Sequence, residues 1–383
     1  MARKISKNVK FLGTTSLFTD FASEMIFPIL PIFLTVTLGA PVAIVGLIEG
    51  LAESTASILK TFSGFISDKL RMRKALVIKG YTLSALTKPI LALSVIWPHV
   101  LIARFLDRVG KGIREAPRDA LIAASNSHER GRFFGFHRAL DTSGAMLGNL
   151  AAFLLLSKFV AADFRTIFWI ALIPALLSVF FLFPVKESRP RKVKEKIKFS
   201  FKPFSKRYKK FVAIATLFYL GNFSYAFFIL KAADLGVIIA FIPLVYLAYN
   251  VFYAAFSYPV GVLSDKIGRR NVLASGYFAF FILTTLFAFT TQQYFVWLLF
   301  PLYGIYKAIT DGVSRAFAAD LSPGRLKATG LGLYQTSIGL AILPASLIAG
   351  FLWDIVGSQA TFLFASALSL LATILLLTLI KKK

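Results

Sequence analysis

The sequence contains no cysteine, so it offers no disulfide framework, no thiol nucleophile and no thiolate metal site. Its three histidines, His99, His128 and His137, are scattered along the chain. The motifs of zinc proteases, of esterase nucleophile elbows and of phosphate-binding loops are absent as well. These absences argue against an enzyme and against an ATP-driven pump, and we expect no cofactor and no metal site.

Charged residues are also scarce, at 16% of the chain, whereas hydrophobic residues make up 57% and include 40 Phe. Soluble domains are about 45–50% apolar and about 25% charged, so the excess apolar surface must face lipid. A helix needs about 20 mostly apolar residues to cross a bilayer. Twelve such stretches are present. We therefore predict an all-α membrane protein with transmembrane helices at 10–36, 42–67, 75–96, 98–124, 133–157, 164–184, 211–230, 236–263, 272–290, 294–320, 328–352 and 360–380.

Acidic residues are few: 18 Asp and Glu stand against 44 Lys and Arg, for a net charge of +26. Thirty of the basic residues lie in the termini and the even-numbered loops, if Lys10 at the start of the first helix is included. Three lie in the odd-numbered loops, if Arg165 at the start of the sixth helix is included. Basic loops stay on the cytoplasmic side, so we expect a plasma-membrane protein with both termini in the cytoplasm. This clustering predicts contact with membrane lipid and no nucleic-acid partner. The first apolar stretch is too long for a signal-peptide core, and we expect no cleaved signal.

The chain repeats itself with an offset of 197 residues, the spacing between Gly64 and Gly261. Gly, Asp and basic residues stay in register over more than seventy residues, which chance similarity between apolar stretches would not produce. The aligned pairs are Gly64 and Gly261, Asp68 and Asp265, Arg118 and Arg315, Arg130 and Lys327, and Gly135 and Gly332. We predict a duplicated six-helix unit: a first bundle at 1–185, a basic cytoplasmic linker at 186–210 and a second bundle at 211–383.

The six-plus-six arrangement, the basic central loop and the G-x-x-x-D-K motif after helices two and eight resemble the major facilitator superfamily. The second copy of the motif, from Gly261 to Arg270, is similar to that superfamily's helix 2–3 signature almost throughout. The first copy has Arg71 where the signature has glycine. The resemblance covers essentially the whole chain. It implies a monomer that carries a small-molecule substrate by alternating access.

Two further motifs are similar to those of drug:proton antiporters. Arg108-Val-Gly-Lys111-Gly112 resembles their R-x-x-Q-G element, with Lys in place of Gln. Predicted helix five has the G-x8-G-x3-G spacing at Gly135, Gly144 and Gly148, but Asn149 stands where proline is expected. The alternative interpretation of these glycines is close packing between helices.

The resemblance also assigns roles to residues. It places helices one, four, seven and ten around a central cavity, which puts Asp20, Glu24, Arg108, Lys111, Lys307 and Asp311 towards the substrate path. It gives a cytoplasmic gating role to Gly64, Asp68, Arg118, Asp119, Gly261, Asp265 and Arg315.

Ionisable residues crowd the first half: apart from Lys10 and Arg165 at helix ends, its predicted helices hold nine bases and eight acids. Those of the second half hold only Lys307, Asp311 and Arg315, apart from Asp320 at a helix end. Each costs about 2.5–3.5 kcal/mol on insertion scales, so a functional role is the default hypothesis. Acids close to one another in a low dielectric can bind and release a proton. We predict proton coupling by Asp20, Glu24, Glu49 and Glu53, with Arg108 as a competing cation. The alternative is a static lattice of salt bridges; Lys88 is expected to pair with an acid of helix two or four.

The second half instead carries a polar and aromatic set, which suits an amphipathic or cationic solute. Its members are Asn222, Tyr225, Tyr246, Tyr249, Asn250, Tyr253, Tyr303, Tyr306 and Gln335. Ordinary helix packing is the alternative for any one of them. Pro28 and Pro31 predict a kink in helix one.

Three functions fit the sequence. The first is a proton-coupled exporter of small organic or amphipathic compounds. The second is an importer or exchanger of an anionic solute that uses Arg104, Arg108 and Lys111. The third is a non-transporting membrane receptor or lipid-binding scaffold. A metal-ion exporter would have to rely on carboxylate ligands.

Overall fold

The computed structural model describes residues 5–70, 72–125, 130–158, 163–187 and 200–380. Over these ranges the chain forms helices and no β-strand, and twelve long helical segments follow one another. They are α1 (Lys7–Ile26, resuming as Leu30–Ile32 and Phe33–Thr37), α2 (Val42–Leu70), α3 (Arg73–Ala92), α4 (Trp97–Ala124), α5 (Arg130–Lys158), α6 (Phe164–Phe180), α7 (Lys206–Gly221, resuming as Ala226–Asp234), α8 (Ile239–Phe241 and Ile242–Ile267), α9 (Arg269–Phe289), α10 (Gln293–Phe295 and Val296–Leu321), α11 (Lys327–Ile355) and α12 (Ser358–Leu379).

Polar caps and glycines set several helix ends. Ser6 and Ser205 begin α1 and α7, and their hydroxyl oxygens accept hydrogen bonds from backbone N–H groups three residues ahead, which satisfies donors that a helix start leaves open. Gly268 has a φ of 93° and is the only residue between α8 and α9. Because such a φ strains residues with a Cβ, glycine permits this tight connection.

Helix α1 is interrupted where the prolines predicted a kink, between Ile26 and Leu30, and its last turns, Phe33–Thr37, are a π-helix. Helix α7 is interrupted between Gly221 and Ala226, although that segment contains no proline. There the backbone N–H of Ser224 donates to the hydroxyl of Ser346 on α11, at 3.3 Å. Ser346 of the neighbouring helix α11 therefore accepts a backbone hydrogen bond that α7 itself cannot accept where it is interrupted.

The helix bounds follow the sequence repeat. Shifting α5, Arg130–Lys158, by 197 residues gives the bounds of α11, Lys327–Ile355. The same shift brings the end of α2 at Leu70 onto the end of α8 at Ile267. The duplication inferred from scattered Gly, Asp and Arg residues is thus also a duplication of secondary structure.

Eight helices in the described part of the chain are long and apolar enough to cross a membrane: α1, α2, α5, α7, α8, α9, α11 and α12. Helix α6 is apolar but has only 17 residues. Helix α4 is the most highly charged of the described helices, with eight ionised side chains between Arg104 and Asp119. Outward-facing side chains such as Phe180 and Phe289, at 64% and 60% exposure, are apolar, as a lipid-facing surface requires.

The chain divides into two compact units. The first unit takes the described residues of Met1–Gly39, Thr55–Glu195 and Ile239–Leu244, and the second takes those of Ala40–Ser54, Lys196–Ile238 and Val245–Lys383. In the first unit α1 packs along α5 and α6, and α3 packs along α4 and α6. In the second unit α9 packs along α10 and α12, and α7 packs along α11 and α12. The first turns of α2 thus group with the second unit.

Candidate functional site

Helices α1 and α5 of the first unit meet at two glycines. A Cβ at Gly144 would collide with the backbone of Leu17, and one at Gly148 would collide with the carbonyl of Phe21. Small residues let helix backbones approach this closely. Gly135, the first glycine of the predicted motif, has nothing near its Cβ position. Two of the three glycines therefore serve close packing, the alternative interpretation of the antiporter-like spacing.

Beside this contact, α1 presents Asp20 to a second acid. Asp141 of α5 precedes Gly144 by three residues and lies within hydrogen-bonding reach of Asp20. Its carboxylate also accepts hydrogen bonds from the Ser16 hydroxyl at 2.6 Å and from Arg138 Nη1 at 2.8 Å. No ion pair joins Asp20 to a basic side chain of the described residues. The predicted acid thus lies next to a carboxyl group, and the charge of Lys111 on α4 also acts on it.

Sequence reasoning counted Asp141 among the intramembrane acids but did not place it in the proton-coupling set. Positions 141, 144 and 148 follow an i, i+3, i+7 pattern, so the acid and the two packing glycines share one face of α5. This spacing is the sequence signal that points Asp141 at α1.

The other predicted proton-coupling acids have different surroundings. Glu24 lies one turn beyond Asp20, and its Oε2 accepts a hydrogen bond from Asn149 Nδ2 at 3.0 Å. Glu49 is 1% exposed and Glu53 is half-buried, and both lie on the first turns of α2 in the second unit. Their role in proton coupling remains a prediction.

A buried ion-pair cluster joins α3 to α4. Lys88 Nζ lies 3.2 Å from Asp107 Oδ1, and Arg104 Nη1 lies 3.8 Å from Asp107 Oδ2. All three side chains are at most 8% exposed. The prediction that Lys88 pairs with an acid of helix two or four is therefore confirmed.

Two predicted substrate-binding arginines share an aromatic ring at the break in α1. The guanidinium groups of Arg104 and Arg108 lie 4.7 Å and 4.9 Å from the centre of the Phe27 ring. Arginine over an aromatic face gains a favourable cation–π interaction. Lys111, one turn after Arg108, lies instead 3.9 Å from Glu115, which also pairs with Lys60 at 2.7 Å. Lys111 of α4 and Lys60 of α2 therefore share Glu115 as an ion-pair partner.

The predicted gating residues form local pairs. Arg118 binds its neighbour Asp119 at 3.0 Å. Asp265 binds Arg269, and Arg315 donates from Nε to the backbone oxygen of Asp311 one turn earlier. Gly261 has open space at its Cβ position. Gly64 and Asp68 lie near the end of α2, and their side-chain surroundings are outside the described part of the structure.

The second unit contains a ladder of aromatic rings, which are stacked except for the first pair, Tyr225 and Tyr246, tilted at 41°. Ring centres are 5.4 Å apart for Tyr225 and Tyr246, 5.1 Å for Tyr246 and Tyr249, and 4.8 Å for Tyr249 and Tyr303. Phe228 continues the stack at 4.3 Å from Tyr303. The predicted aromatic set is thus brought together by α7, α8 and α10.

Polar groups lie along the same helices. Tyr253 OH is 3.4 Å from Asp311 Oδ2, and Lys307 Nζ lies 5.9 Å from the centre of the Tyr306 ring. Asn222 is buried in the break of α7, whereas Asn250 is half-buried on α8. Their role in substrate binding is still a prediction.

The start of α2 is fixed within the second unit by a residue that sequence reasoning did not single out. Asp354 on α11 accepts hydrogen bonds from the backbone N–H groups of Val42 and Ala43, at 3.0 Å and 2.8 Å. Farther along, the Ser54 hydroxyl donates to the carbonyl of Gly339 at 2.6 Å. A Cβ at Gly46 would meet the carbonyl of Ser346. Helices α2 and α11 are thus in backbone contact.

Comparison with known proteins gives the family. The model of the Major Facilitator Superfamily matches residues 12–233 and 211–383. The chain belongs to the Major Facilitator Superfamily. An uncharacterized MFS-type transporter of Methanocaldococcus jannaschii is 44% identical over 98% of this chain and 95% of its own length. Multidrug resistance protein MdtH of Proteus mirabilis is 24% identical over 86% of this chain and 83% of its own length.

Solved structures show the same fold. The nucleoside transporter NupG covers 97% of this chain, and all of NupG is covered in turn, with a TM-score of 0.80 at 15% identity. As a member of the Major Facilitator Superfamily, the chain is a multi-pass membrane protein with the major facilitator fold. It is a secondary transporter of a small-molecule substrate rather than an enzyme. Within the described ranges no group of three His, Asp or Glu residues is arranged to hold a metal ion.

Proposed function

We propose that this superfamily member is a proton-coupled exporter of small organic or amphipathic compounds that works by alternating access. The observation that carries the proposal is Asp20, an acid inside a membrane-spanning helix that lies next to another carboxyl group and forms no ion pair with the described basic side chains. Two carboxylates in contact in a low dielectric cannot both stay ionised without a large cost. One of them therefore holds a proton that can be exchanged. The predicted acids Glu24, Glu49 and Glu53 extend this set.

The second unit supplies the proposed solute-binding surface. Stacked tyrosines present flat, polarisable faces, and such faces bind organic cations and aromatic compounds. Asn222, Tyr225, Tyr246, Asn250, Lys307 and Asp311 are the proposed contacts. The similarity to the multidrug resistance protein MdtH supports this class of solute.

The proposal also includes the orientation of the chain in the membrane and the residues of a cytoplasmic gate. The distribution of basic residues supports a plasma-membrane protein with both termini in the cytoplasm. The proposed cytoplasmic gate uses Gly64, Asp68, Arg118 and Asp119 in the first half and Gly261, Asp265 and Arg315 in the second. The family supports a monomer, and the basic segment at 186–210 is expected to lie against anionic lipid.

A second candidate function is transport of an organic anion. Arg104 and Arg108, 1% and 2% exposed, both lie over Phe27. Guanidinium groups gathered at a helix break suit a carboxylate or phosphate, which arginine binds in a bidentate manner. On this function Lys111 would be the third binding charge.

Flux assays in proteoliposomes separate the candidates. We expect an imposed proton gradient to drive transport of ethidium, and we expect Asp20→Asn to abolish the dependence of this transport on the gradient. Glu24→Gln is expected to leave substrate binding measurable and to remove its pH dependence. Uptake of benzoate that is lost in Arg108→Ala would establish the anion function instead. Ethidium flux that does not respond to the proton gradient would refute proton-coupled export.

A further inference from the structure

A cleft lies between the first two turns of α1 and the part of the chain that follows α6. Its volume is about 790 Å³, and small-molecule sites usually enclose about 300–1,000 Å³. The lining includes three lysines, Lys7, Lys10 and Lys186, and two aromatic rings, Phe11 and Phe181. This lysine cleft therefore combines positive charge with apolar surface.

The positive charge of the lysine cleft is not neutralised by the protein. The described residues that line it include no Asp or Glu. Lys7, Lys10 and Lys186 are exposed, and no ion pair joins their ammonium groups to a carboxylate in the described part of the chain. Near a membrane surface each lysine strengthens the binding of anionic lipid by about fivefold. The lysine cleft is therefore suited to an anion.

Side-chain contacts hold the walls of the lysine cleft in place. Asn8 of α1 donates from Nδ2 to the backbone oxygen of Lys186, and its Oδ1 accepts from the backbone N–H of Lys186, both at 3.0 Å. Phe181 stacks on Phe18 of α1, with ring centres 5.4 Å apart. The two walls are thus joined without a ligand, and such preorganisation lowers the entropic cost of binding.

Apolar surface beside the lysine cleft favours a lipid over a water-soluble anion. Helix α1, which forms one wall, is long and apolar enough to span the membrane. Phe180 and Phe183, on either side of the lining residues Phe181 and Leu182 in sequence, are 64% and 62% exposed. A phospholipid joins a phosphate to acyl chains, so its phosphate can reach the ammonium groups while its chains lie along these rings.

We propose that the lysine cleft is a binding site for an anionic phospholipid. The ammonium groups of Lys7, Lys10 and Lys186 bind the phosphate through charge-assisted hydrogen bonds, and Phe11 and Phe181 contact the glycerol and the first part of the acyl chains. The site is separate from the acids and aromatic rings assigned to transport, and it does not rest on the proposed function. It also differs from a general attraction of the basic linker to the membrane, because it needs three particular lysines on a preformed surface.

Cysteine labelling of the full chain in a neutral detergent tests the site. The chain has no cysteine, so Thr14→Cys places a single thiol in the lining of the lysine cleft. Dioleoyl phosphatidylglycerol should slow the reaction of this thiol with a maleimide by about tenfold once the lipid exceeds its Kd by that factor. Dioleoyl phosphatidylcholine, which has no net charge, should not slow it. Gln292→Cys, at an exposed position before α10, is the control thiol and should react at one rate with and without either lipid.

Charge variants show whether the three lysines form the site. Combining Lys7→Gln, Lys10→Gln and Lys186→Gln should weaken the binding of phosphatidylglycerol by about a hundredfold, which is about fivefold for each lysine. Replacing the same three lysines by arginine should preserve binding, since the charge remains. The matched control removes the same charge from three exposed lysines near the start of α7 and should change binding little; its substitutions are Lys202→Gln, Lys206→Gln and Lys209→Gln.

Native mass spectrometry of the protein without an introduced cysteine keeps the test independent of Thr14→Cys. We expect the chain to retain one phosphatidylglycerol. The cleft variant with three glutamines should lose this lipid, and the matched control should keep it. A chain that retains no phosphatidylglycerol contradicts the proposal.

Three outcomes of the labelling experiment would overturn the lipid site. Protection of Thr14→Cys by glycerol 3-phosphate as strong as that by phosphatidylglycerol would assign the cleft to soluble organic phosphates. Equal protection by phosphatidylcholine would show that the lysines do not select an anion. Equal weakening by the cleft variant and its matched control would reduce the binding to the net charge of the protein.

Discussion

Replacing Lys88 by methionine tests whether the ion pair between α3 and α4 stabilises the first unit. The change keeps the length of the side chain and removes an ammonium that lies 3.2 Å from Asp107, in a site where both side chains are at most 8% exposed. Removing one partner of a buried pair costs about 3–5 kcal/mol because the other charge is left buried. Arg104, at 3.8 Å, still faces Asp107. We therefore expect the lower end of that range, about 3 kcal/mol.

Thermal unfolding of the purified protein in detergent is the measurement. A loss of 3 kcal/mol corresponds to a fall in Tm of about 6–12 °C for a unit of 150–250 residues. Lys79→Met is the control, because Lys79 lies on the same helix but is exposed; it should change Tm by little. Adding Asp107→Asn to Lys88→Met should recover part of the loss, as coupled residues do. Equal effects of Lys88→Met and Lys79→Met would refute the reasoning.

Two further predictions concern helix contacts. Gly144→Leu should lower Tm, because the new side chain collides with the Leu17 backbone and overpacking costs about 1–3 kcal/mol or more of unfolding free energy. Gly135→Leu is the control: there is open space at this position, so the change should be near neutral. Equal Tm values for the two variants would contradict close packing. Asp354→Ala removes the acceptor for two N–H groups at the start of α2 and should lower the free energy of unfolding by about 1 kcal/mol. Because the chain has no cysteine, a single cysteine introduced at position 54 can report on α2, and in the Asp354→Ala variant it should react faster with a maleimide. An unchanged rate would show that the cap does not hold α2 in place.

The helices were predictable because crossing lipid imposes a length and an apolar composition that are visible locally. The repeat was predictable because a gap-free offset survives in Gly, Asp and Arg residues. Lys88 could be expected to pair because an unpaired charge at its depth is costly. For these features the physical constraint acts on the residue itself or on its neighbours in sequence.

The partners of individual acids could not be predicted in the same way. Whether Asp20 faces a base or an acid depends on how α1 is rotated against α5, which the two packing glycines decide. The break in α7 has no proline, and it is accompanied by a hydrogen bond to Ser346, more than a hundred residues away. Tertiary contacts of this kind join residues far apart in the chain, so the neighbouring sequence hardly indicates them.

The interruptions of α1 and α7 occupy equivalent places in the two repeats. Shifted by 197 residues, the gap after Ile26 overlaps the gap after Gly221, yet one is built on Phe27-Pro28-Ile29 and the other on Asn222 to Tyr225. An ancestral six-helix protein that already bent its first helix, and was then copied in tandem, accounts for both. The two halves thus share the position of the bend although the side chains at it differ.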